Sequence, residues 1–204
     1  MTTRSLVVVS AGLSVPSSTR LLADRLTEAT RQALAQAGED VVVEVVELRE
    51  LAHAMTDQLL TGVPGEQLER VQNSLAAADG VVAVTPIFAA SYAGLFKTFI
   101  DLLEPGLLAG TPVLLGATAG TARHSLALDQ SLRPLFGYLR AQVAPTGVVA
   151  ATDDFGSDTE LADRITRAGR ELAALIGLGR PVAVEPEAVA PTALTPFEQL
   201  LGRR

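Results

Sequence analysis

Hydroxyl side chains crowd the stretch between Ser10 and Thr19, and a guanidinium follows directly. Ser10, Ser17, Ser18, Thr19 and Arg20 are the first residues in the chain whose types and spacing could do chemistry. Leu6-Val7-Val8-Val9 just ahead of them is apolar on both faces, as a central parallel strand must be. Ser10 to Pro16 cannot continue that strand, and Ser17-Ser18-Thr19 offer N-cap hydroxyls to a helix running to about Ala37. Such a strand–loop–helix turn gathers backbone N–H groups, hydroxyls and a helix N-terminus at one point. That is an anion site, suited to a phosphate, and Arg20 in the first turn would add a charge-assisted contact. Read without a ligand, the same stretch is an ordinary βα loop with a serine cap.

The elements that must position this loop follow from the rest of the chain. It has 204 residues, 48% hydrophobic and 19% charged, enough for one α/β domain with a substantial core. The net charge of −7 disfavours nucleic-acid binding. With no cysteine and two histidines, thiol catalysis, disulfides and zinc–thiolate chemistry are excluded and a His-based metal site is not expected. No apolar run reaches the roughly 18 residues of a membrane helix, and the N-terminus does not read as a signal peptide, so a cytoplasmic protein is expected.

Strand and helix patterns alternate five times. The first helix carries Leu22, Leu26, Ala29, Ala33 and Leu34 on one stripe and stops at Gly38. Val41 to Leu48, interrupted by Glu44 and Glu47, reads as an edge strand. Leu51 to Pro64 reads as irregular, with one turn near Leu51–His53 and His53 as a surface residue. Glu66 to Ala78 is a helix, and Val81 to Val84 a central strand whose pairing Pro86 should stop. A helix from Tyr92 to Leu103 comes next, and then a strand from Thr111 to Gly116. The small-residue loop Ala117–Thr121 leads into a long helix to Arg140, kinked by Pro134. Val143 and Val148–Ala150 bracket a fifth strand, and Asp158 to Ile176 is the last helix, capped by Asp158 or Thr159. The tail carries Pro181, Pro186, Pro191 and Pro196 and reads as an extended arm, giving a domain over 1–180 and a tail over 181–204.

This alternation predicts a doubly wound parallel sheet of five strands with helices on both faces, three layers in all. Ligands of such sheets bind beyond the carboxyl ends of the strands, at the switch point. The loops Ser10–Thr19, Thr85–Tyr92 and Ala117–Thr121 would all meet at one crevice there. GxGxxG is absent after the first strand, and GxxxxGK[ST] is absent as well, so neither a dinucleotide Rossmann site nor a P-loop is present. A hydroxyl-rich phosphate loop on five strands points to a flavodoxin-like mononucleotide site, strand order 2-1-3-4-5.

Three segments, VVSAGLSVPSSTRLLADRL, TPIFAASYAGLFKTFIDLL and LLGATAGTARHSLALDQSLRPLF, together resemble the NAD(P)H-dependent FMN reductases of flavodoxin-like fold. They are most similar to the branch that supplies reduced flavin to separate flavin-dependent monooxygenases. The resemblance implies FMN and NADPH or NADH as cofactors, a homodimer or homotetramer, and a reaction in which hydride passes from nicotinamide to flavin. It implies that Ser10, Ser17, Ser18 and Thr19 hold the FMN phosphate with Arg20 nearby. Pro86, Ile87, Phe88, Ala89 and Ser91 would line the ring and ribityl chain. Thr118, Ala119, Gly120 and Thr121 would bring backbone N–H groups to the pyrimidine edge, and His124 matches the histidine after that loop. Phe88 replaces a commoner tyrosine. Ala119-Gly120 stands where Gly-Gly is common, so Ala119 fits only if its φ is negative. No catalytic side chain is implied.

Two features bear on assembly. Lys97 and Asp101 form an exposed pair or, on the family pattern, an interface pair, and the helix carrying them is apolar nearly all round, which points to an oligomer. The competing functions are a quinone, azo or metal-ion reductase that keeps its FMN, a flavodoxin-type electron carrier, and a non-flavin phosphate binder. The aromatic content of 4%, with no tryptophan, weighs against the carrier.

Overall fold

The computed structural model describes residues 2–157 and 159–179. The chain starts with β1 (Thr3–Ser10), whose Leu6, Val7, Val8 and Val9 are all buried. Alternation sends Leu6 and Val8 to one face of the sheet and Val7 and Val9 to the other. Each face therefore needs its own helical cover, which is the three-layer arrangement the sequence predicts.

On one face lie α1 (Ser18–Gln36) and α7 (Thr159–Leu178), packed against Leu6, Val8, Val82, Val84 and Leu114. Gly169 of α7 lets these two helices close up. A Cβ there would stand 2.7 Å from the carbonyl carbon of Ala29 and 2.8 Å from the Thr30 nitrogen. The other face is covered by α2 (Ala52–Thr61), α3 (Glu66–Ala77), α4 (Gly94–Asp101) and α5 (Arg133–Tyr138).

The remaining strands are β2 (Asp40–Glu47), β3 (Gly80–Phe88), β4 (Ser91–Tyr92), β5 (Pro112–Ala119), β6 (Gln142–Val143) and β7 (Val148–Ala151), and a short α6 (Asp154–Ser157) precedes α7. The sheet runs β2-β1-β3-β5-β6, with β7 also on β5 and β4 on β3. Counting β6 and β7 as one interrupted strand, this is the expected order 2-1-3-4-5. The interruption falls at Ala144–Gly147, where Pro145 cannot donate. Arg133 donates to the Ala144 and Pro145 carbonyls, and Glu171 accepts from Thr146 N–H and Oγ1. The break thus leaves these backbone groups satisfied.

Five local expectations are corrected. Leu51–Pro64 is not irregular: a 3₁₀ turn (Leu48–Leu51) leads into α2, with Leu51, Met55 and Gln58 inward and His53 exposed. Pro86 does not stop β3, because it pairs with Thr118 of β5. Val84 O accepts from Ala11 N–H on the β1 side, so Pro86, two residues on, turns its nitrogen to the same side. There β1 has already left the sheet, and no hydrogen bond is lost. Tyr92 pairs with Ile87 in a hairpin, and the helix starts at Gly94. Ala117, Thr118 and Ala119 belong to β5 rather than to a loop, since β7 extends their pairing. The long helix to Arg140 is broken into a 3₁₀ turn (Ala122–His124), a π-turn (Leu128–Leu132) and α5, with Pro134 in the first turn of α5.

The Asp158 or Thr159 cap and the tail 181–204 lie outside the described residues or side chains. Among the described residues, no helix is long and apolar enough to cross a membrane. Of the apolar residues on and after α4, Phe96, Phe99, Ile100 and Leu103 are buried within this chain, and Leu95 and Leu102 are half-buried against the same core. Lys97 and Asp101 form an exposed pair at 2.6 and 2.7 Å. The hydrogen bond to Asp101 holds the Lys97 ammonium above its ordinary pKa.

Candidate functional site

The carboxyl ends of β1, β3, β5 and β7 open into one groove of about 250 Å³. Its lining comes from three runs and one single residue: Leu13, Ser14, Ser17, Ser18 and Thr19; Pro86, Ile87 and Phe88; Thr118, Ala119 and Gly120; and Thr152. The three loops that the sequence places together do meet.

The first run is built by a tight turn. Ala11 N–H is taken by Val84 O at 2.9 Å, which ends the sheet contribution of β1. Gly12 then passes so close to the helix start that a Cβ would lie 2.0 Å from Ser17 Oγ and 3.2 Å from Thr19 Cβ. Ser17, in extended conformation, is the N-cap of α1, and its Oγ accepts from Arg20 N–H at 3.2 Å. The N–H groups of Ser18 and Thr19 precede any intrahelical partner and sit at the positive end of α1.

A buried hydroxyl pair joins this run to the third. Thr19 Oγ1 and Thr118 Oγ1 lie 2.8 Å apart, with both residues at most 5% exposed. Thr19 therefore faces a neighbouring hydroxyl and meets any ligand through its backbone. Thr85, fully buried, fixes the second run: its Oγ1 accepts from Ala93 N–H at 3.1 Å and donates to Pro86 O at 3.0 Å. Beyond it the chain reverses through Ala89 and Ala90, at φ 48° and 65°, with Phe88 paired to Ser91. Two left-handed residues between paired strand ends make a type I′ turn. Phe88 is 51% exposed and presents an apolar wall. Ala119 lies in β5 with no positive φ, so the condition for an alanine at that place is met.

Of the residues singled out from sequence, Ser17, Ser18, Thr19, Pro86, Ile87, Phe88, Thr118, Ala119 and Gly120 line the groove. Ser10 is buried at the end of β1 beneath the loop. Ala89, Ser91, Thr121 and His124 neighbour the lining in sequence without forming it. Arg20 is turned aside: its Nε donates to Asp24 Oδ1 at 2.8 Å and its Nη1 to Glu47 Oε1 at 2.5 Å. The Asp24 bond first, and then Glu47, hold the guanidinium above its ordinary pKa.

Sequence reading missed Gly12, Leu13, Ser14 and Thr152. Gly12 has a signal only in three dimensions, through its approach to Ser17. Thr152 is the residue just past the fifth strand, where the carboxyl-end rule that picked the other loops would also have picked it.

None of the lining residues is charged, and six carry hydroxyls. An anion here would be held by N–H groups, hydroxyls and a helix terminus, with an apolar wall of Pro86, Ile87 and Phe88 beside it. A phosphate joined to a flat apolar ring fits that combination.

Comparison with known proteins agrees. The sequence profile of the family described as NADPH-dependent FMN reductase matches residues 4–156. An FMN reductase (NADPH) of Pseudomonas aeruginosa is 35% identical over 177 residues, covering 84% of this chain and 91% of that protein. The NADH-dependent FMN reductase SfnE of Pseudomonas putida is 37% identical over 183 residues, covering 88% and 90%. Among solved structures, an oxidoreductase from Corynebacterium diphtheriae superposes with a TM-score of 0.85 at 49% identity, covering 87% of this chain and 99% of that one. A flavodoxin, WrbA-like protein from Agrobacterium tumefaciens, at 14% identity and a TM-score of 0.61, shares the fold over 87% and 99%.

Proposed function

Since the chain belongs to the NADPH-dependent FMN reductase family, we propose that it is an NAD(P)H:FMN oxidoreductase whose flavin site is the groove between the β1–α1 loop, the Phe88 hairpin and the end of β5. The observation that carries this reading is the uncharged, hydroxyl-lined groove whose three sides are the three family-like segments.

FMN, when bound, supplies the hydride-accepting chemistry. The chain's own part is positioning. Backbone N–H groups of Ser18 and Thr19, with the Ser14, Ser17 and Ser18 hydroxyls, would hold the phosphate. Pro86, Ile87 and Phe88 would support the ring, and the backbone at Thr118–Gly120 would meet its polar edge. No lining side chain titrates near neutral pH, which accords with a reaction that asks the protein for alignment and not for proton transfer.

Reduced flavin is the product, and the resemblance supports a flavin-dependent monooxygenase as its consumer. The chain would act as a homodimer or homotetramer. Exposed Leu59, Leu60 and Val63 at the end of α2 support a contact between copies. Light scattering on the purified protein tests the assembly, and a monomer refutes it.

The function is tested by following NADPH and NADH oxidation under air with and without added FMN. Oxidation that depends on free FMN supports the reading. Oxidation that free FMN does not stimulate, but a quinone or azo dye does, makes the protein a different kind of reductase. Failure to oxidise either nucleotide in protein that binds FMN refutes a reductase altogether.

A further inference from the structure

Arg20 is the third residue of α1, the position whose side chain tilts back toward the helix N-terminus. A residue at that place reaches the N-cap in the capping-box arrangement, so its guanidinium is within a side chain's length of an anion in the first turn. Yet Arg20 is engaged elsewhere, on Asp24 and on Glu47. These two partners differ. Asp24 is one turn along the same helix and 50% exposed, so water screens it. Glu47 is 19% exposed and is the last residue of β2, in register with Ser10, from which the phosphate loop departs. Its second oxygen is in ion-pair contact with Arg49 Nε at 2.8 Å. The carboxylate is therefore anchored at the end of a paired strand and contacted by a second arginine, while Arg20 has the longer and more exposed side chain of the pair, at 34% against 19%.

We propose that Glu47 is a positioning residue: it holds Arg20 off the phosphate end of the groove, and the affinity for FMN is set by competition between this carboxylate and the ligand's phosphate for one guanidinium. The inference rests on the flavin reading above. With Arg20 held by Glu47, a phosphate in the groove has only N–H groups and hydroxyls, and FMN stays exchangeable. Weakening the Glu47 contact hands the guanidinium to the phosphate. Riboflavin, which lacks the phosphate, reports whether the effect acts through it.

The test is a titration of the full-length protein with FMN and with riboflavin, read by flavin fluorescence, for wild type, E47Q, R20A and R20A/E47Q. A guanidinium–phosphate contact of ordinary strength, reduced by solvent screening, lowers the FMN Kd of E47Q about fivefold. Riboflavin affinity stays unchanged, the gain disappears in R20A/E47Q, and R20A alone binds FMN within about twofold of wild type, because a contact that is not made cannot be lost. The gain shrinks as salt is raised. Should E47Q fold poorly, E47D, which stretches the same contact, shows a smaller shift in the same direction.

Equal or weaker FMN binding by E47Q overturns the inference. So does a gain that persists without Arg20 or extends to riboflavin, since that would be bulk charge rather than competition. Failure of the wild type to bind FMN removes the flavin reading itself, and this inference with it.

Discussion

Gly12→Ala should damage the β1–α1 loop, the proposed phosphate cradle, through one identifiable atom. The added Cβ would stand 2.0 Å from Ser17 Oγ, and 3.1 and 3.2 Å from the Cβ atoms of Ser17 and Thr19. The first contact is impossible, so Ser17 must rotate and release Arg20 N–H, at the cost of an N-cap worth about 1 kcal/mol. The two remaining contacts ask the backbone to give by a few tenths of an ångström, about 1 kcal/mol at the low end of overpacking. Replacing glycine also restricts the unfolded chain, which returns roughly 0.5 kcal/mol. The net loss is about 1.5 kcal/mol. Ser17→Ala alone loses the cap, about 1 kcal/mol. The double variant has no Oγ to clash with, so it should cost about as much as Gly12→Ala alone, leaving a coupling of about 1 kcal/mol. Urea denaturation of the four proteins measures this cycle, and the same proteins titrated with FMN should show Gly12→Ala binding about tenfold more weakly. Strict additivity, or FMN affinity within twofold of wild type, would refute the cradle reasoning.

Other perturbations test neighbouring parts of the site and its support. Ala89→Gly and Ala90→Gly relieve left-handed alanines at φ 48° and 65°, so each should stabilise by about 0.5–1 kcal/mol and raise Tm by a few degrees; a lower Tm refutes the type I′ turn. Thr85→Val strands the buried Ala93 N–H and the Pro86 carbonyl, costing about 2–3 kcal/mol in urea and raising KM for FMN through the loosened Phe88 hairpin; an unchanged urea midpoint contradicts it. Gly169→Ala sets a helix-propensity gain of about 1 kcal/mol against a 2.7 Å contact with the α1 backbone, and the contact should win by about 1–2 kcal/mol. A stabilised Gly169→Ala protein would mean that α1 and α7 are not so closely packed.

The parts of the fold that were legible are those where local chemistry and tertiary demand agree. β1 is β-branched and buried on both sides, and Ser17 is a hydroxyl at the place where a helix must begin, so strand, loop and cap all read directly. Where they disagree, the sequence misleads. In α2 the polar Gln58 points inward, where its amide donates to Leu102 O, while Leu59 and Leu60 point out. The helical period is therefore inverted over its second half. Pro86 looks like a strand end because the rule assumes two paired neighbours, and only the staggered departure of β1 frees it. The segment after Gly120 is rich in Leu, Ala, Arg and Gln, but Leu128 packs onto Gly147 at the break in the last strand. The helix there is broken into a 3₁₀ turn, a π-turn and α5.

The same distinction separates the two halves of the site. Most lining residues were legible because they lie at or just past the carboxyl ends of strands, which are written in hydrophobic pattern. The electrostatics were legible only in part: Asp24 has the i,i+4 spacing of a helix pair, but Glu47 is twenty-seven residues away and is brought beside Arg20 only by the β1–β2 register. On the proposed reading, helix position alone would place Arg20 at the phosphate, and the sheet gives it a carboxylate instead. If this loop holds a dianion without a committed cation, it must rely on N–H groups whose directions are fixed by the turn at Gly12 and the cap at Ser17. Its affinity then depends on geometry more than on charge. Gly12→Ala should accordingly weaken FMN binding more than removal of the Arg20 guanidinium does, although only the second substitution deletes a charge.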